Sequence, residues 1–341
     1  MHASYHDSLN FLSKCTPARL WNAIKIFTSY FWSKSTSHHT PLGLPISLSV
    51  EPTTSCNLRC PECPSGLRSF SRPTGMLDLD LFRKVVDELQ SVLWYLILYF
   101  QGEPYLHPQF FEMVKAASSR KIYTATSTNA HYLTSENARK TVTSGLDRLI
   151  ISIDGTTQET YESYRVGGKL DKVIAGTQQV VDWKRKLDSK TPYIIFQFLV
   201  VKPNEHQINE VEALADSLGV DKVVFKTAQI YHYQHGSTLM PDNDRYRRYR
   251  ENEDGTFSLK NRLLNHCWKM WHSAVITWDG QVVPCCFDKD ASHAMGNVND
   301  HRFHDLWYSE PYMKFRRKLM KARSEIDICT NCSEGLQVFE Q

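Results

Sequence analysis

Three cysteines lie within one short segment, Cys56-Asn57-Leu58-Arg59-Cys60-Pro61-Glu62-Cys63. Three thiolates can hold three corners of a four-iron, four-sulfur cubane and leave the fourth iron without a protein ligand. An open iron is a place for chemistry, whereas a fully ligated cluster carries electrons. A closed zinc site is the main alternative, but it needs four ligands, usually from paired Cys-x-x-Cys knuckles. No fourth cysteine and no histidine stands in this segment. A purely structural role fits poorly, because Asn57, Arg59, Pro61 and Glu62 make the loop polar.

A second group, Cys267, Cys285, Cys286, Cys329 and Cys332, occupies the last part of the chain. Four thiolates can close around one fully ligated cluster or around one tetrahedral zinc ion, and Cys329-Thr330-Asn331-Cys332 is a good zinc knuckle. Composition alone leaves both open. Trp278-Asp279-Gly280 is a hairpin signal between Ala274–Thr277 and Gln281–Val283. Cys15 lies outside both groups.

Around these cysteines the chain alternates. Ile46–Glu51, Trp94–Phe100, Ile122–Thr126, Arg148–Ile153, Tyr193–Val201 and Lys222–Phe225 read as strands. Leu79–Leu89, Pro108–Ala117, Ser135–Thr143, Leu170–Lys186 and Ile208–Leu218 read as helices. Apolar strands joined by helices predict a parallel sheet that right-handed crossovers curl into a partial (β/α)6 TIM-like barrel. Chemistry in such folds sits at the carboxyl ends of the strands, and the first cysteine group follows the first strand directly. The expected division is an N-terminal helical extension over 1–45, a core over 46–229, a connecting segment over 230–262 and a small C-terminal iron–sulfur domain over 263–341. Within the connecting segment, which includes the charged run from Asp242 to Asp254, the stretch 244–250 reads as a solvated helix. The run's Arg and Tyr residues are interleaved with Asp and Glu, which argues against nucleic acid.

The 341 residues carry 40 Lys and Arg against 37 Asp and Glu, a net charge of +3 that predicts no polyanion partner. Nine cysteines would suit a secreted disulfide scaffold only behind a signal peptide, and residues 1–16 lack that pattern. A reducing, cytoplasmic setting is expected. The longest strongly apolar run, Val92–Phe100, is too short to span a bilayer. Ala18–Lys34 reads as a helix bearing Leu20, Trp21, Ile24, Phe27 and Phe31. Two readings follow: a leading helix packed on the main domain, which Ile26, Tyr30 and Trp32 favour by blurring the polar face, or peripheral membrane contact through residues 17–34.

The Cys-x3-Cys-x2-Cys spacing after the first strand resembles the radical S-adenosylmethionine (SAM) enzymes. Other segments match that family at successive strand ends. Gln101-Gly102-Glu103-Pro104 resembles its Gly-Gly-Glu-Pro element, Ser127-Thr128-Asn129 its Thr-Asn-Gly, and Ser152-Ile153-Asp154-Gly155 with Tyr164-Arg165 its fourth-strand region. The resemblance implies a 4Fe–4S cluster on Cys56, Cys60 and Cys63, with SAM on the open iron. It implies SAM contacts from Gly102, Glu103, Pro104, Ser127, Asn129, Ser152, Asp154 and Arg165. In the family, one electron from the reduced cluster cleaves SAM, and the 5′-deoxyadenosyl radical removes a hydrogen atom from the substrate. Three residues depart from the pattern: Glu62 where an aromatic is usual, Gln101 for the first glycine, and Ala130 for the glycine after Asn129.

The distal cysteines resemble a shortened, "twitch"-like SPASM domain. Cys267-x12-Gly280-x4-Cys285 matches its opening, and Gly296-Asn297-Val298 and His304-Asp305-Leu306-Trp307 match its middle. The glycine spacing favours Cys285 over Cys286, so Cys267, Cys285, Cys329 and Cys332 are expected to hold an auxiliary 4Fe–4S cluster. A second redox centre predicts oxidation of the substrate. A peptide or protein maturase of the SPASM type is the alternative, and a non-catalytic zinc scaffold a weaker one. The expected partners are an electron donor such as flavodoxin or ferredoxin and a small-molecule or peptide substrate. Residues 1–45 are too few for a separate leader-peptide recognition domain, which argues against that mode of peptide binding. His232, His235, His266 and His272 are candidate bases by position only.

Overall fold

The computed structural model describes residues 2–36, 39–260 and 262–333. Two helices lead, α1 (His2–Ser13) and α2 (Pro17–Ser35). Thr16 starts α2 by accepting a hydrogen bond from Arg19 N, with Pro17 in the first turn, where its missing N–H costs nothing. Then come β1 (Ser47–Val50), a one-turn α3 (Pro64–Leu67), α4 (Leu79–Leu89) and β2 (Tyr95–Ile97). They are followed by α5 (Phe110–Ser118), β3 (Tyr123–Thr128), α6 (Ser135–Thr143) and β4 (Arg148–Ser152). The core region closes with α7 (Gln158–Tyr164), α8 (Leu170–Lys186), β5 (Tyr193–Val200), α9 (Ile208–Leu218) and β6 (Lys222–Thr227).

The crossover helices form where the apolar spacing requires. Leu79, Phe82, Val85, Val86 and Leu89 give α4 one buried stripe, and the Asp78 carboxylate caps its amino end through the N–H groups of Asp80 and Leu81. β1 to β6 pair in parallel and in sequence order, from Ser47 beside Tyr95 to Val200 beside Thr227. Their apolar side chains form one continuous core with the helices.

The sheet then grows from an unexpected direction. After a short hairpin, β7 (Tyr249–Glu251) with β8 (Phe257–Leu259), the chain forms α10 (Lys269–His272), β9 (Ser273–Ile276) and β10 (Val282–Val283). β9 joins β1 in parallel, Ser273 beside Ser47, and β10 returns antiparallel to β9 across a turn containing Gly280. Gly280 takes φ +88°, and a Cβ there would stand 2.6 Å from Asn297 Oδ1. Among the described residues the sheet therefore has eight strands, ordered β10-β9-β1-β2-β3-β4-β5-β6, with β10 and β6 as free edges. That is the partial barrel expected, widened by two strands. The boundary expected at 263 does not interrupt the sheet. α11 (Phe303–Trp307) and α12 (Glu310–Ala322) follow, and residues 334–341 of the expected C-terminal domain lie outside the described residues.

Two local expectations are corrected. The stretch 244–250 is not a solvated helix: it forms turns and the start of β7, because Tyr246 and Tyr249 are buried and Arg248 is held against Thr227. The leading helix packs on the main domain, as the favoured reading held, but through its more polar face. Arg19, Asn22, Ile26, Ser29, Tyr30 and Ser33 are buried, while Leu20, Trp21, Ile24, Phe27, Phe31 and Trp32 are exposed. Buried carbonyls explain the inversion. The Arg19 guanidinium donates to the carbonyls of Lys14, Gln90, Arg120 and Lys121, and Asn22 pairs with both backbone groups of Leu44.

α1 closes the amino ends of the strands. Phe11 stacks on Trp94 at 5.0 Å, and Asn10 and Lys14 reach Asp147 at 2.8 and 3.0 Å. Asp7 accepts from Tyr123 and pairs with Arg148. The opposite, carboxyl ends remain for the site.

Candidate active site

The loop after β1 carries the first cysteines, and the ends of β2, β3 and β4 face it. Cys56, Cys60, Cys63, Gly102, Glu103, Ser127, Asn129, Ser152 and Arg165 line one cavity of about 130 Å³. Gly102 joins the second strand end to the loop. Its φ is +72°, and a Cβ would stand 2.2 Å from the Thr53 carbonyl oxygen, so only glycine fits. Its N–H donates to Ser65 Oγ at 2.8 Å, and Glu103 N donates to Ser55 O at 2.7 Å.

Glu103 is buried and fixed at both oxygens. Oε1 accepts from Thr128 Oγ1 at 2.8 Å and from Tyr105 N at 3.2 Å, and Oε2 accepts from Asn129 N at 2.7 Å. Burial pushes its pKa up to about 7, against the opposing pull of those hydrogen bonds and the more distant Arg165 charge. A carboxyl poised there is ready to become a carboxylate when a ligand amino group arrives.

Two residues expected to meet SAM do not line the cavity. Pro104 sits in the first turn of a short 3-10 helix, where Glu103 caps it. Asp154 is fully buried, with one oxygen accepting from Leu199 N at 2.7 Å and the other from Arg165 Nε. Its carboxylate is spent on holding Arg165, whose Nη1 donates to Cys60 Sγ at 3.8 Å. Asp154 thus positions a residue that lines the cavity.

The thiols suit iron. Burial raises the Cys56 pKa to about 11 and lifts that of Cys60, so without a cation both are held as neutral thiols. Donors already aim at these sulfurs. Leu58 N and Asn129 Nδ2 reach Cys56 Sγ at 3.5 and 3.9 Å, and Arg165 reaches Cys60. N–H groups directed at thiolates tune the potential of an iron–sulfur cluster. Among the described residues, no group of His, Cys, Asp and Glu is drawn together as tightly as a single ion requires. A cubane, with ligands at the corners of a larger body, does not require it.

Glu62, the departure from the family's aromatic, accepts from Tyr231 N at 2.9 Å and so ties the cysteine loop to the segment after β6. Arg59 is exposed. Ala130, where relatives carry glycine, has φ +65°, the left-handed conformation that glycine adopts without strain.

The second cysteine group gathers around a residue that no motif announces. Arg323 is buried, and its Nη2 donates to Cys332 Sγ at 3.6 Å. Its charge is reinforced by Cys267, Cys332 and Cys329, while Cys285 feels Cys286, Cys332 and Cys267. The four expected ligands therefore share one neighbourhood. Cys286, the next residue along the chain, borders the same neighbourhood and also acts on Tyr99 and Lys289. Sequence offers no signal for Arg323 beyond a position shortly before the Cys329 knuckle.

The loop after β10 lies across the first cysteine loop. Arg72 Nε donates to Lys289 O at 2.9 Å, Ser71 N donates to Asp290 Oδ1 at 2.9 Å, and Lys289 Nζ donates to Tyr231 Oη at 2.8 Å. Beneath it, Arg72 and Glu51 form a buried pair, and Glu51 also accepts from Trp278 N. The segment that follows Cys285 and Cys286 is thus tied to the loop that carries the first cysteines. Of the candidate bases, His232 borders a cavity between these loops, His235 lines a separate cavity with Lys202, His266 is engaged by Tyr30 Oη at 3.1 Å, and His272 packs on Trp268.

The profile of the Radical SAM superfamily matches residues 50–222, half of the chain. This chain belongs to the radical SAM superfamily. SPASM, an iron–sulfur cluster-binding domain, matches residues 267–333. The chain is 26% identical over 332 residues to the tungsten-containing aldehyde ferredoxin oxidoreductase cofactor-modifying protein of Pyrococcus furiosus, covering 84% of this chain and 86% of that one. It is 28% identical over 178 residues to the mycofactocin maturase MftC of Mycobacterium tuberculosis, covering 52% of this chain and 44% of that relative. The fold is shared with BtrN in complex with AdoMet and 2-DOIA, at a TM-score of 0.55 and 20% identity over 87% of this chain and 97% of that one. It is also shared with Streptococcus suis SuiB bound to precursor peptide SuiA, at a TM-score of 0.64 and 14% identity over 94% and 76%. The chain is a radical SAM enzyme; its radical SAM domain implies a 4Fe–4S cluster and SAM, and its SPASM domain implies auxiliary iron–sulfur clusters. No described helix is long and apolar enough to cross a membrane.

Proposed function

We propose that this radical SAM enzyme is a maturase that oxidises a peptide or protein substrate. In this reading Cys56, Cys60 and Cys63 hold the SAM-binding cluster, and Cys267, Cys285, Cys329 and Cys332 hold one auxiliary cluster. When bound, these groups supply a hydrogen-abstracting 5′-deoxyadenosyl radical and an acceptor for the electron that a substrate radical must lose. Glu103 accepts from the SAM amino group. Gly102, Ser127, Asn129 and Ser152 shape the cavity around it. Arg165, steadied by Asp154, keeps positive charge beside Cys60. The loop after β10 keeps water from the space between the two cysteine groups.

The observation that carries this reading is that the segment following Cys285 and Cys286 packs on the loop of the first cysteines, through the Arg72–Lys289 and Ser71–Asp290 contacts. A second redox centre next to a radical-forming site supports net oxidation. The peptide or protein class is supported by the names of the relatives, a maturase and a cofactor-modifying protein, and by a fold shared with a protein captured on its precursor peptide. A small one-electron donor protein, of the flavodoxin or ferredoxin kind, would feed the first cluster. The test is anaerobic co-production with peptides encoded beside the gene, followed by mass spectrometry. A peptide that has lost two hydrogens, formed only with SAM and a reductant, supports the proposal. A redox-neutral product, or turnover of a small molecule with every peptide unchanged, contradicts it.

A further inference from the structure

The apolar face of α2 points away from the protein. Leu20, Trp21, Ile24, Phe27, Phe31 and Trp32 are each between 47% and 62% exposed. Of the fifteen large apolar side chains that are exposed among the described residues, six belong to this one helix, and Tyr5, Leu9 and Leu12 of α1 add three more. A helix stabilised only by its own domain would bury that stripe and expose Arg19, Asn22, Ser29 and Ser33. Here the polar residues are buried, and the aromatic ones face out.

From this inversion we infer that α2 is an interfacial anchor that lays its aromatic face on a bilayer containing anionic lipid. The charge distribution selects that occupant. At about 100° per residue, Leu20, Trp21, Ile24, Phe27, Phe31 and Trp32 together define the exposed stripe, and Lys25 and Lys34 fall roughly 80–100° to either side of its centre. Lysines at both margins of an apolar stripe place their ammonium groups at phosphate level while the stripe enters the acyl boundary. Two tryptophans and two phenylalanines suit that boundary. The sequence holds one acidic residue in its first fifty, Asp7, and Asp7 is buried against Tyr123 and Arg148. Nothing on this face repels an anionic surface. A second copy of the same face would bring Lys25 and Lys34 against their equivalents, which disfavours a dimer there.

The geometry is compatible with catalysis. α1, joined to α2 by a short turn, covers the amino ends of the strands, so the cysteine site opens at the other end of the sheet. α2 also abuts the second cysteine group: Phe27 and Tyr30 lie 5.9 and 5.1 Å from Trp268, and Tyr30 Oη bonds His266, beside Cys267.

The test uses the full chain in flotation with phosphatidylcholine vesicles, with and without phosphatidylglycerol. The protein is expected to float with the anionic vesicles and to be released by salt. The variant Leu20→Ser/Trp21→Ser/Ile24→Ser is expected to bind about a hundredfold more weakly at an unchanged melting temperature, since all three side chains are exposed. Lys25→Glu/Lys34→Glu is expected to lose about tenfold or more on anionic vesicles alone. Failure of the native chain to float, equal flotation of the triple variant, or a dimer in solution that the triple variant dissociates would each overturn the inference.

Discussion

Replacing Glu103 by Gln tests how the site receives SAM. The amide keeps an acceptor for Thr128 Oγ1 and Tyr105 N, but it sets an NH2 group against Asn129 N–H, where the carboxylate now accepts at 2.7 Å. Losing that buried bond is expected to cost about 1–3 kcal/mol of stability. Losing the charged acceptor for the SAM amino group is expected to cost a further ~1.5–3 kcal/mol of binding, roughly 10- to 150-fold in Kd. The pH dependence gives a sharper signature. With a pKa of about 7, Glu103 is half protonated near neutrality before SAM arrives. SAM selects the ionised form, so affinity falls as pH drops through 7, approaching tenfold per pH unit below it, and levels off above. Gln cannot titrate. The SAM amino group titrates alike in both proteins, so the ratio of the two dissociation constants isolates Glu103. Equilibrium dialysis of labelled SAM against reconstituted protein, from roughly pH 6 to 8, measures that ratio. A variant that binds SAM within about twofold of the native protein, with the same pH profile, would refute the assignment.

Three further outcomes are expected. Cys285→Ala should lower the iron content of anaerobically reconstituted protein from about eight to about four per chain, while Cys286→Ala should leave it unchanged; the reverse pattern would exchange their roles. Asp154→Ala strands the Arg165 guanidinium beside Cys60 and should destabilise the apoprotein by about 3–5 kcal/mol in chemical denaturation, and a loss below about 1 kcal/mol would contradict the buried pair. Gly102→Ala drives a methyl group into the Thr53 carbonyl at a positive φ. It should cost roughly 2–4 kcal/mol and weaken SAM binding, and unchanged melting and SAM binding would show that the loop yields freely.

The core strands and helices were legible because each carries its own period: the buried stripe of α4 and the apolar runs of β4 and β5 declare themselves locally. The candidate cysteine ligands stood out because sulfur at fixed spacing has few other uses. The pairing of β9 with β1 was not, since Ser273–Ile276 is four residues long and its partner lies more than two hundred residues away. The inverted packing of α2 was hidden for a related reason. Arg19 and Asn22 are buried to satisfy carbonyls of distant segments, and local pattern carries no record of those. Arg323 has no motif at all; it is found only once the fold brings Cys267 and Cys332 to it. Asp154 shows the converse. The resemblance placed it at that strand end, and the fold adds that it holds Arg165, which reaches Cys60.

The most direct test of the account compares the native chain with Cys56→Ala/Cys60→Ala/Cys63→Ala after anaerobic reconstitution, under a strong reductant with SAM. The native protein should hold about eight irons and form 5′-deoxyadenosine. The triple variant should keep about four irons on the distal cysteines and form none. Native protein that binds stoichiometric zinc and leaves SAM intact, or a triple variant that still cleaves SAM, would contradict it.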